Sequence, residues 1–477
     1  MPSVISSISQ KNVKDLFNYY QFLTQHKNQA VGLPSKNDRP TIIVLGCGLS
    51  GITAAKELTE HGFNVLMLEA RDRIGGRIHS LHLQNECFLE LGAQFVHGIK
   101  DNPLYKICEK YKLEVKPYSR GDWAIFDVNG TKIDKENLED LVEKYKDELH
   151  ALSFERKSDN KDRFMVEDLK LIDQKILKHK AIQSSDIHSL AKLISIKEFN
   201  EEKLFQYKLG AHKKESESNF LVTNGYIKIL EGMLSDAQKT GLLEVRLSTE
   251  INEIHYTSYN IAVHSKKGET FHADAIICTL PLGVLKSGNI RFTPNLPKLK
   301  VKSINKLKMA IHNKMILEFE EVFWDNLSHF VVLYDPTLNA WLDMINLQFF
   351  YKKKTPIFMT SIYSSSSQDM PSDIYLVNHF VNLIKRIYPD TFKPLKNHWV
   401  THWEQDPYAL GAYSYHPEGT SLEDNSEIAK PMGRVIFAGE HTHRSPSNVQ
   451  AAYLSGFESA KQVVDQLLDI YKLAAAK

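Results

Sequence analysis

The chain has 477 residues, which is too long for one simple core and predicts two or three domains. Its 59 basic and 58 acidic residues give a formal net charge of +1, which argues against a dedicated nucleic-acid binder. The first residues lack a signal-peptide layout, no apolar run approaches the roughly 18 residues of a membrane span, and the four cysteines form no C-x-x-C pair. We therefore expect a soluble, cytoplasmic protein with reduced thiols, bound neither to nucleic acid nor to a membrane.

The patterned part of the chain opens with a strand–helix–strand unit. It follows a polar stretch, 1–40, that we assign to an N-terminal extension. The unbroken apolar run at 41–45 predicts a parallel strand buried on both faces. A glycine-rich turn and a stretch with helical spacing come next, and a second strand at 64–68 ends at Glu69.

The rest of the chain alternates between stretches with helical spacing and stretches typical of strands. Leucines at helical spacing within 131–215 predict a helix face that packs on the core. Short strands are predicted at about 241–280, followed by a mixed, aromatic-rich region at 295–399. A final strand at 434–438 precedes a last helix, predicted at about 449–468.

The glycine-rich turn has the pattern G-x-G-x-x-G, formed by Gly46, Gly48 and Gly51. The pattern alone is weak, but here it follows a strand, opens a helix and is completed by an acid, Glu69, at the end of the second strand. Glycines let backbone N–H groups approach a pyrophosphate, and Glu69 would accept hydrogen bonds from the adenosine ribose. The pattern predicts a dinucleotide site without saying which dinucleotide binds.

A second glycine element, ARDRIGGR, follows directly and ends at Arg77. Its glycine pair allows close backbone approach, and Arg77 supplies a fixed cation for a pyrophosphate. A nicotinamide site has no need of this element. Taken alone, Arg77 would be read as a surface salt-bridge residue.

These two motifs and five later segments resemble the FAD-dependent amine oxidases, a family that includes monoamine oxidases, polyamine oxidases and lysine-specific histone demethylases. The similar segments run in family order over about 40–460. The later segments are ELGAQFVHG (90–98), VTNGYIKIL (222–230), CTLPLGVLK (278–286), WEQDPYALGAYSY (403–415) and the pair RVIFAGEHTH and VQAAYLSG (434–456).

The resemblance implies an α/β fold (α+β overall), with a Rossmann-like FAD-binding domain interleaved with a mixed sheet-and-helix substrate-binding domain. The FAD-binding domain would comprise 41–95, 217–294 and 400–470, and the substrate-binding domain 96–216 and 295–399.

The resemblance also implies non-covalent FAD, because Ala412 stands where monoamine oxidases have the flavin-linking cysteine. No metal is needed, although the sequence His441-Thr442-His443 could suggest one. The residues assigned to the cofactor are Gly46, Gly48, Ser50, Gly51, Glu69, Arg71, Gly76, Arg77, Gly92, Ala93, Gln94, Phe95, Ile251, Trp403, Glu440, Asn448 and Val449.

Most of these residues have an implied place along the cofactor. The helix start at 50–51 and Arg77 would lie at the pyrophosphate, and Glu69 and Arg71 at the adenosine, where the backbone of Ile251 contacts adenine. The side chain of Ile251 would pack in the core like that of any other strand residue.

At the flavin end, Gln94 and Phe95 would pass alongside the ring, and Glu440 would bind the ribityl chain. Trp403 would pack near the ring, with a core aromatic as the alternative. The helix start at 448–449 would stabilise negative charge on the reduced flavin.

Lys314 carries the most specific functional prediction of any single residue in the sequence. By resemblance it holds a water against the flavin nitrogen that accepts hydride. The alternative is a strand lysine that points to solvent, since several other lysines lie nearby.

Three residues bear on the substrate. Tyr413 would form one wall of an aromatic cage for an amine. The usual second wall is replaced by Asn448, which departs from monoamine oxidases and is similar to polyamine and spermine oxidases. His97 is predicted to hydrogen-bond a substrate nitrogen and help keep it neutral, with a buried core histidine as the alternative. Lys314 and His97 are thus the catalytic candidates.

The function expected from these residues is oxidation of spermine, spermidine or N-acetyl forms by hydride transfer to flavin, with oxygen reduced to hydrogen peroxide. The alternatives are an oxidase of monoamines or L-amino acids, a histone-demethylase-like enzyme and a non-catalytic flavoprotein. We expect the acidic residues that bind the distal nitrogens of the substrate to come from 200–220, with Glu215 and Glu217 as candidates. We expect a monomer or weak dimer.

Overall fold

The computed structural model describes most of the chain between residues 39 and 475. The candidate acids Glu215 and Glu217, and most of the predicted helical face at 131–215, lie outside the described residues. No described helix is long and apolar enough to cross a membrane. The described ranges are 39–83, 87–99, 102–118, 123–133, 219–257, 261–335, 340–351, 353–364, 370–417 and 419–475.

A parallel sheet carries the glycine-rich turn. Across the sheet the strands are β10 (Leu243–Arg246), β2 (Asn64–Leu68), β1 (Thr41–Leu45), β14 (Ala275–Cys278) and β23 (Val435–Phe437). All neighbouring strands run parallel, so each is joined to the next through a crossover. The apolar run that forms β1 is buried on both faces, as its sequence predicts.

Helices cover one face of this sheet, and a second sheet covers the other. Ile42 and Val44 pack on the helical side, whereas Ile43 and Leu45 pack on the second sheet. The second sheet has the order β13 (Thr270–Ala273), β12 (Ile261–Ser265), β11 (Ile251–Tyr256) and β15 (Arg291–Thr293). The described helices are α1 (Leu49–Glu60), α2 (Pro103–Lys110), α3 (Ile227–Gln238), α4 (Leu282–Ser287), α5 (Lys298–Lys306), α6 (Leu347–Phe350), α7 (Asp373–Ile387), α8 (Leu422–Ala429) and α9 (Val449–Ala475).

A larger mixed sheet forms a separate core. Its strands, in spatial order, are β21 (Leu395–Val400), β17 (Ile311–Phe319), β20 (Ile357–Ser364), β19 (Ala340–Asn346), β18 (His329–Asp335), β7 (Trp123–Phe126) and β8 (Lys132–Ile133). Because side chains alternate along a strand, Met315 and Leu317 of β17 pack in the cluster that includes α7, and Ile316 packs on the opposite face with Leu89 and Leu221. Lys314 shares the face of Ile316.

Three smaller sheets join the two cores. They are β3 (Ser80–His82) with β4 (Phe88–Glu90), β5 (Phe95–His97) with β9 (Asn219–Val222) and β6 (Val115–Tyr118), and β16 (Lys308–Met309) with β22 (Ser414–Tyr415). The alternative reading of His97 as a buried core residue is wrong: its neighbour Val96 is buried and His97 is exposed. Alternation along β5 turns the two side chains to opposite faces.

The observed architecture is the α/β class expected, with a parallel sheet interleaved along the chain with a mixed sheet. Strands of the parallel sheet come from 41–68, 243–278 and 435–437, and strands of the mixed sheet from 123–133 and 311–400. The exact domain boundaries stay a prediction.

Candidate active site

The two glycine elements pack against each other through their backbones. The N–H of Gly75 donates to the carbonyl of Cys47 at 2.8 Å. A Cβ on Gly51 would lie 2.1 Å from the backbone oxygen of Gly46, and Gly46 has a φ of +100°. A residue with a side chain fits neither position, because one would clash and the other would be strained.

Gly48 stands apart from those two glycines, because it has room. It adopts an extended conformation just before α1, and a Cβ there would meet its nearest atom, the oxygen of Gly75, at 3.9 Å. No side chain caps the start of α1, so the first N–H groups of that helix are available to an anion. A pyrophosphate fits this cradle, which Gly76 borders: a Cβ added to Gly76 would lie 3.6 Å from the Cα of Gly48.

Glu69 fixes the geometry of this loop. Its buried carboxylate accepts from the N–H of Cys47 at 2.7 Å and from the N–H of Arg71 at 2.9 Å. These bonds hold the first glycine turn against the end of β2. Arg71 in turn pairs with Asp406 at 2.6 Å and lies 5.2 Å from the ring centroid of Tyr408.

The chain before Ile251 runs beside these residues. The N–H of Ser248 donates to the carbonyl of Arg71, and that of Thr249 to the carbonyl of Glu69, each at 2.8 Å. Ser248 has a φ of +51°, so the segment predicted as strands splits between β10 and β11 in different sheets. Ile251 therefore begins β11 close to Glu69 and Arg71, with its side chain in the core.

Arg77 and Glu440 form an ion pair at 2.8 Å, with 22% and 6% of their side chains exposed. Arg77 also donates to the carbonyl of Ala412 at 3.2 Å. The other oxygen of Glu440 accepts from the hydroxyl of Ser414 at 2.6 Å and from the N–H of Ser447 at 3.0 Å. Burial raises the pKa of Glu440, but Arg77 and these donors outweigh it and keep the pKa below its usual value. Arg77 thus does form a salt bridge, but with a buried carboxylate rather than with a partner at the surface.

The turn at 91–94 is held from two sides. A Cβ on Gly92 would lie 1.9 Å from the carbonyl oxygen of Arg77, and the N–H of Ala93 donates to that oxygen at 3.1 Å. The indole N–H of Trp403 donates to the carbonyl of Leu91 at 3.0 Å. Phe95 follows, edge-on to another aromatic ring, Tyr118, at 4.8 Å.

Lys314 reaches this turn from β17. Its Nζ donates to the carbonyl of Glu90 at 2.7 Å and to Oε1 of Gln94 at 2.9 Å. The lysine is 7% exposed, so the alternative of a solvent-facing strand lysine is wrong. Burial lowers the pKa of Lys314 to about 7, against the opposing charge of Glu90, and burial raises the pKa of the Glu90 carboxyl.

The residue beside Lys314 fixes Trp403. Asn313 is fully buried, accepts from the backbone N–H of Trp403 at 2.9 Å and donates to Glu404 at 2.7 Å. The side chains of Lys314 and Trp403 thus both contact the backbone or side chains of residues 90–94.

The last helix, α9, begins at Val449, as its sequence predicts. Asn448 caps it, because its Oδ1 accepts from the N–H of Ala451 at 2.8 Å. The helix packs tightly on α1, where the hydroxyls of Ser50 and Ser455 lie 3.1 Å apart. Asn448 therefore has a structural reason to be polar.

The substrate candidates lie at two edges of this group. The ring of Tyr413 is edge-on to that of His312 at 5.9 Å, and His312 precedes Lys314 by two residues on β17. His97 is exposed, and its Nδ1 lies 2.9 Å from Oδ1 of Asn219. No described contact joins His97 directly to Lys314.

The histidines after Glu440 are the residues whose sequence could suggest a metal site. Among the described residues, no group of three His, Cys, Asp or Glu side chains could hold a metal ion. His441 is fully buried, and burial lowers its pKa to about 4, so it is neutral at pH 7. The four cysteines are all buried, and no disulfide joins them.

Sequence reasoning missed several partners of the site residues. Asp406 and Ser414 lie inside the recognised segment 403–415, so the motif itself carried a signal for them. Asn219, beside His97, and Ser447, beside Glu440, had no signal because their roles depend on contacts between distant parts of the chain.

The family model for flavin containing amine oxidoreductases matches residues 49–464, so the chain belongs to this family of FAD enzymes. It is similar to Polyamine oxidase 2 of Arabidopsis thaliana, with 28% identity over 93% of this chain and 91% of that protein. Polyamine oxidase 4 of Oryza sativa subsp. japonica is also 28% identical, over 90% of this chain and 89% of its own. Lysine-specific histone demethylase 2 of Homo sapiens is 26% identical over 90% of this chain, which covers 54% of that protein.

The donor set fits FAD. The open cradle at Gly48 and the uncapped start of α1 suit the pyrophosphate, and Arg77 provides a held cation beside it. Ala412 offers no side chain for a covalent link, as expected for non-covalent FAD. Family and cofactor are as the resemblance implied.

Proposed function

We propose that the protein oxidises polyamines such as spermine, spermidine or their N-acetyl forms, with O₂ as the electron acceptor. The position of His97 carries this proposal. It is exposed at the end of β5, on the same short segment as Gln94, whose side chain contacts the buried Lys314. An exposed imidazole three residues after a side chain that contacts the buried lysine suits an extended substrate with several nitrogens. The polyamine oxidases among the relatives support this choice.

In the overall reaction, the amine loses two electrons and two protons to O₂, giving an imine and hydrogen peroxide. Water then adds to the imine and splits it into an aldehyde and a smaller amine. FAD, when bound, would supply the hydride-accepting ring. The work of the protein is to orient the amine, exclude water and set the protonation of the groups nearby.

The chain's own groups divide this work. Lys314, with its lowered pKa, is poised to hold or release a proton near pH 7. Tyr413 would present a ring face to the amine, and its neighbour His312 restricts how that ring turns. His97 would hydrogen-bond a substrate nitrogen and favour its neutral form, which is the form that loses hydride.

Asn448 is the residue that leads us to expect a preference for polyamines over small monoamines. A second aromatic wall is replaced there by a residue whose side chain is occupied in capping α9. With one wall, a small amine has little to hold it, whereas a long amine gains contacts at both Tyr413 and His97.

Hydrogen peroxide release tests the proposal. The FAD-loaded protein would be assayed with spermine, spermidine, their N-acetyl derivatives, benzylamine, an L-amino acid and a dimethyl-lysine peptide. We expect turnover of at least one polyamine at a kcat/KM at least tenfold above every other substrate. Turnover of the methyl-lysine peptide, of benzylamine or of the amino acid without polyamine turnover would overturn the proposal, and so would no turnover at all.

A further inference from the structure

Gln94 and Lys314 together present hydrogen-bond donors that no residue in the described part of the chain accepts. A charged lysine has three N–H groups, and Lys314 donates two of them, to Glu90 and to Gln94. Its third has no acceptor among the described residues. Gln94 is 2% exposed, and its Nε2 likewise has no acceptor in the described part of the chain.

The amide of Gln94 has one orientation when Lys314 is charged. An ammonium group only donates, so the amide must turn its oxygen towards Nζ, at 2.9 Å. The NH₂ group is then directed away from the lysine. A buried donor without an acceptor costs free energy, so its retention calls for a bound acceptor.

The backbone leading to Gln94 is held by hydrogen bonds. The carbonyl of Arg77 holds Ala93, and the indole of Trp403 holds Leu91. The N–H of Val222 also donates to the carbonyl of Gln94 at 3.0 Å, so the backbone of Gln94 is fixed beside Lys314.

We propose that Gln94 positions Lys314 and is itself a second donor to the acceptor atoms that Lys314 faces, on the ring of bound FAD. The acceptor is of the carbonyl or imine class and gains negative charge when the ring is reduced. The inference deepens the proposed function and rests on it only for the arm of the test that uses a polyamine.

Two consequences follow from the geometry. A hydrogen bond to the charged form of a group favours that form, so loss of Oε1 lowers the pKa of Lys314, and a carboxylate in its place raises it. Loss of the NH₂ donor removes stabilisation of the reduced ring, so the potential of the flavin becomes more negative.

The test compares Gln94→Met and Gln94→Glu, both close in size to glutamine, with Gln462→Met as the matched control. Gln462 is exposed on α9. In the FAD-loaded proteins, we would measure the midpoint potential by dye equilibration, the dissociation constant of FAD, and the rate of anaerobic flavin reduction by spermine against pH.

We expect both Gln94 variants to have a more negative midpoint potential than the parent, with FAD affinity changed less than threefold. The reduction rate of Gln94→Met falls at least tenfold with KM within threefold. The limb of the rate profile that depends on Lys314 moves to lower pH in Gln94→Met and to higher pH in Gln94→Glu. Gln462→Met behaves as the parent.

A midpoint potential in both Gln94 variants equal to that of Gln462→Met would overturn the inference. The same holds if the limb moves in one direction in both variants. If the parent oxidises no polyamine, the proposed function fails, but the potential still decides the role of Gln94. If Gln94→Met does not fold, Gln94→Glu carries the same decision.

Discussion

Nη1 of Arg77 lies 2.8 Å from Oε1 of Glu440, and this ion pair joins the second glycine element to the turn before the last helix. Because Glu440 also accepts from Ser414 and Ser447, one buried carboxylate ties together three segments that the sequence keeps far apart. The pair therefore fixes the second glycine element against the turn before the last helix.

Arg77→Met is expected to weaken FAD binding at least tenfold, or about 1.4 kcal/mol. It removes the cation for the pyrophosphate and leaves Glu440 buried without its partner. Titration of the FAD-free protein, followed by flavin fluorescence, measures the change. Arg291→Met, which breaks an exposed Arg–Glu pair with Glu253, is the control and should bind FAD as the parent does. Equal affinity in both variants would contradict the prediction.

Gly51→Ala and Gly48→Ala should separate folding from binding. A Cβ at 51 would lie 2.1 Å from the backbone of Gly46, so Gly51→Ala should lower the Tm of the FAD-free protein by several degrees. A Cβ at 48 meets nothing closer than 3.9 Å, so Gly48→Ala should keep the Tm of the FAD-free protein. It should nevertheless weaken FAD binding, because the methyl group fills the phosphate cradle. The reverse pattern would show that the cradle is placed wrongly.

Lys314→Met should change how stability depends on pH. Folding lowers the pKa of Lys314 from 10.5 to about 7, so between these values the unfolded chain holds a proton that the folded chain has lost. Parental stability therefore rises with pH across this window, and methionine removes that rise. The Tm of the parent minus that of Lys314→Met should be larger at pH 9.5 than at pH 6.5. For exposed Lys298→Met the same difference should not vary with pH, and a constant difference for both would contradict the lowered pKa.

His97→Ala should raise the KM for spermine at least tenfold and leave FAD binding unchanged. The side chain is exposed and its ring contacts Asn219, so its loss should not disturb the core. Steady-state peroxide release measures the effect, with His398→Ala, an exposed histidine on β21, as the control. An unchanged response to spermine would remove His97 from the substrate site.

Lys300→Met should cost about 3–5 kcal/mol of stability. The lysine is 1% exposed, and its Nζ donates to three backbone carbonyls at the end of α8, at 2.7–2.8 Å. Methionine leaves all three buried acceptors unpaired. Chemical denaturation would measure the loss against Lys302→Met, an exposed change on the same helix, α5. A loss no greater than that of the control would show that water replaces the lysine.

The sequence predicted those features that depend on local spacing. The strand, the glycine turn and the helix of the first unit follow from one short stretch, and the start of α9 at Val449 follows from another. Family motifs also identified Lys314 and Gln94 separately.

Tertiary contacts explain what could not be predicted. The direct bond between Lys314 and Gln94, and the pairing of Arg71 with Asp406, join residues more than 200 positions apart. Lys286 lies in a recognised segment, yet its Nζ caps the end of α5 by donating to three carbonyls there, which no local pattern shows. The exposure of His97 depends on which face of β5 meets the core.

The order of strands in the parallel sheet also bears on how the chain is made. β1 pairs with β14, which lies more than 200 residues later, and the edge strand β23 and the helix that packs on α1 come near the end. During synthesis, β2 follows β1 directly, but the other edge of β1 must wait for β14, which the ribosome has not yet produced. That edge of the nascent sheet is therefore exposed to aggregation until β14 has emerged, and α1 gains its packing against α9 only when the last helix has been made.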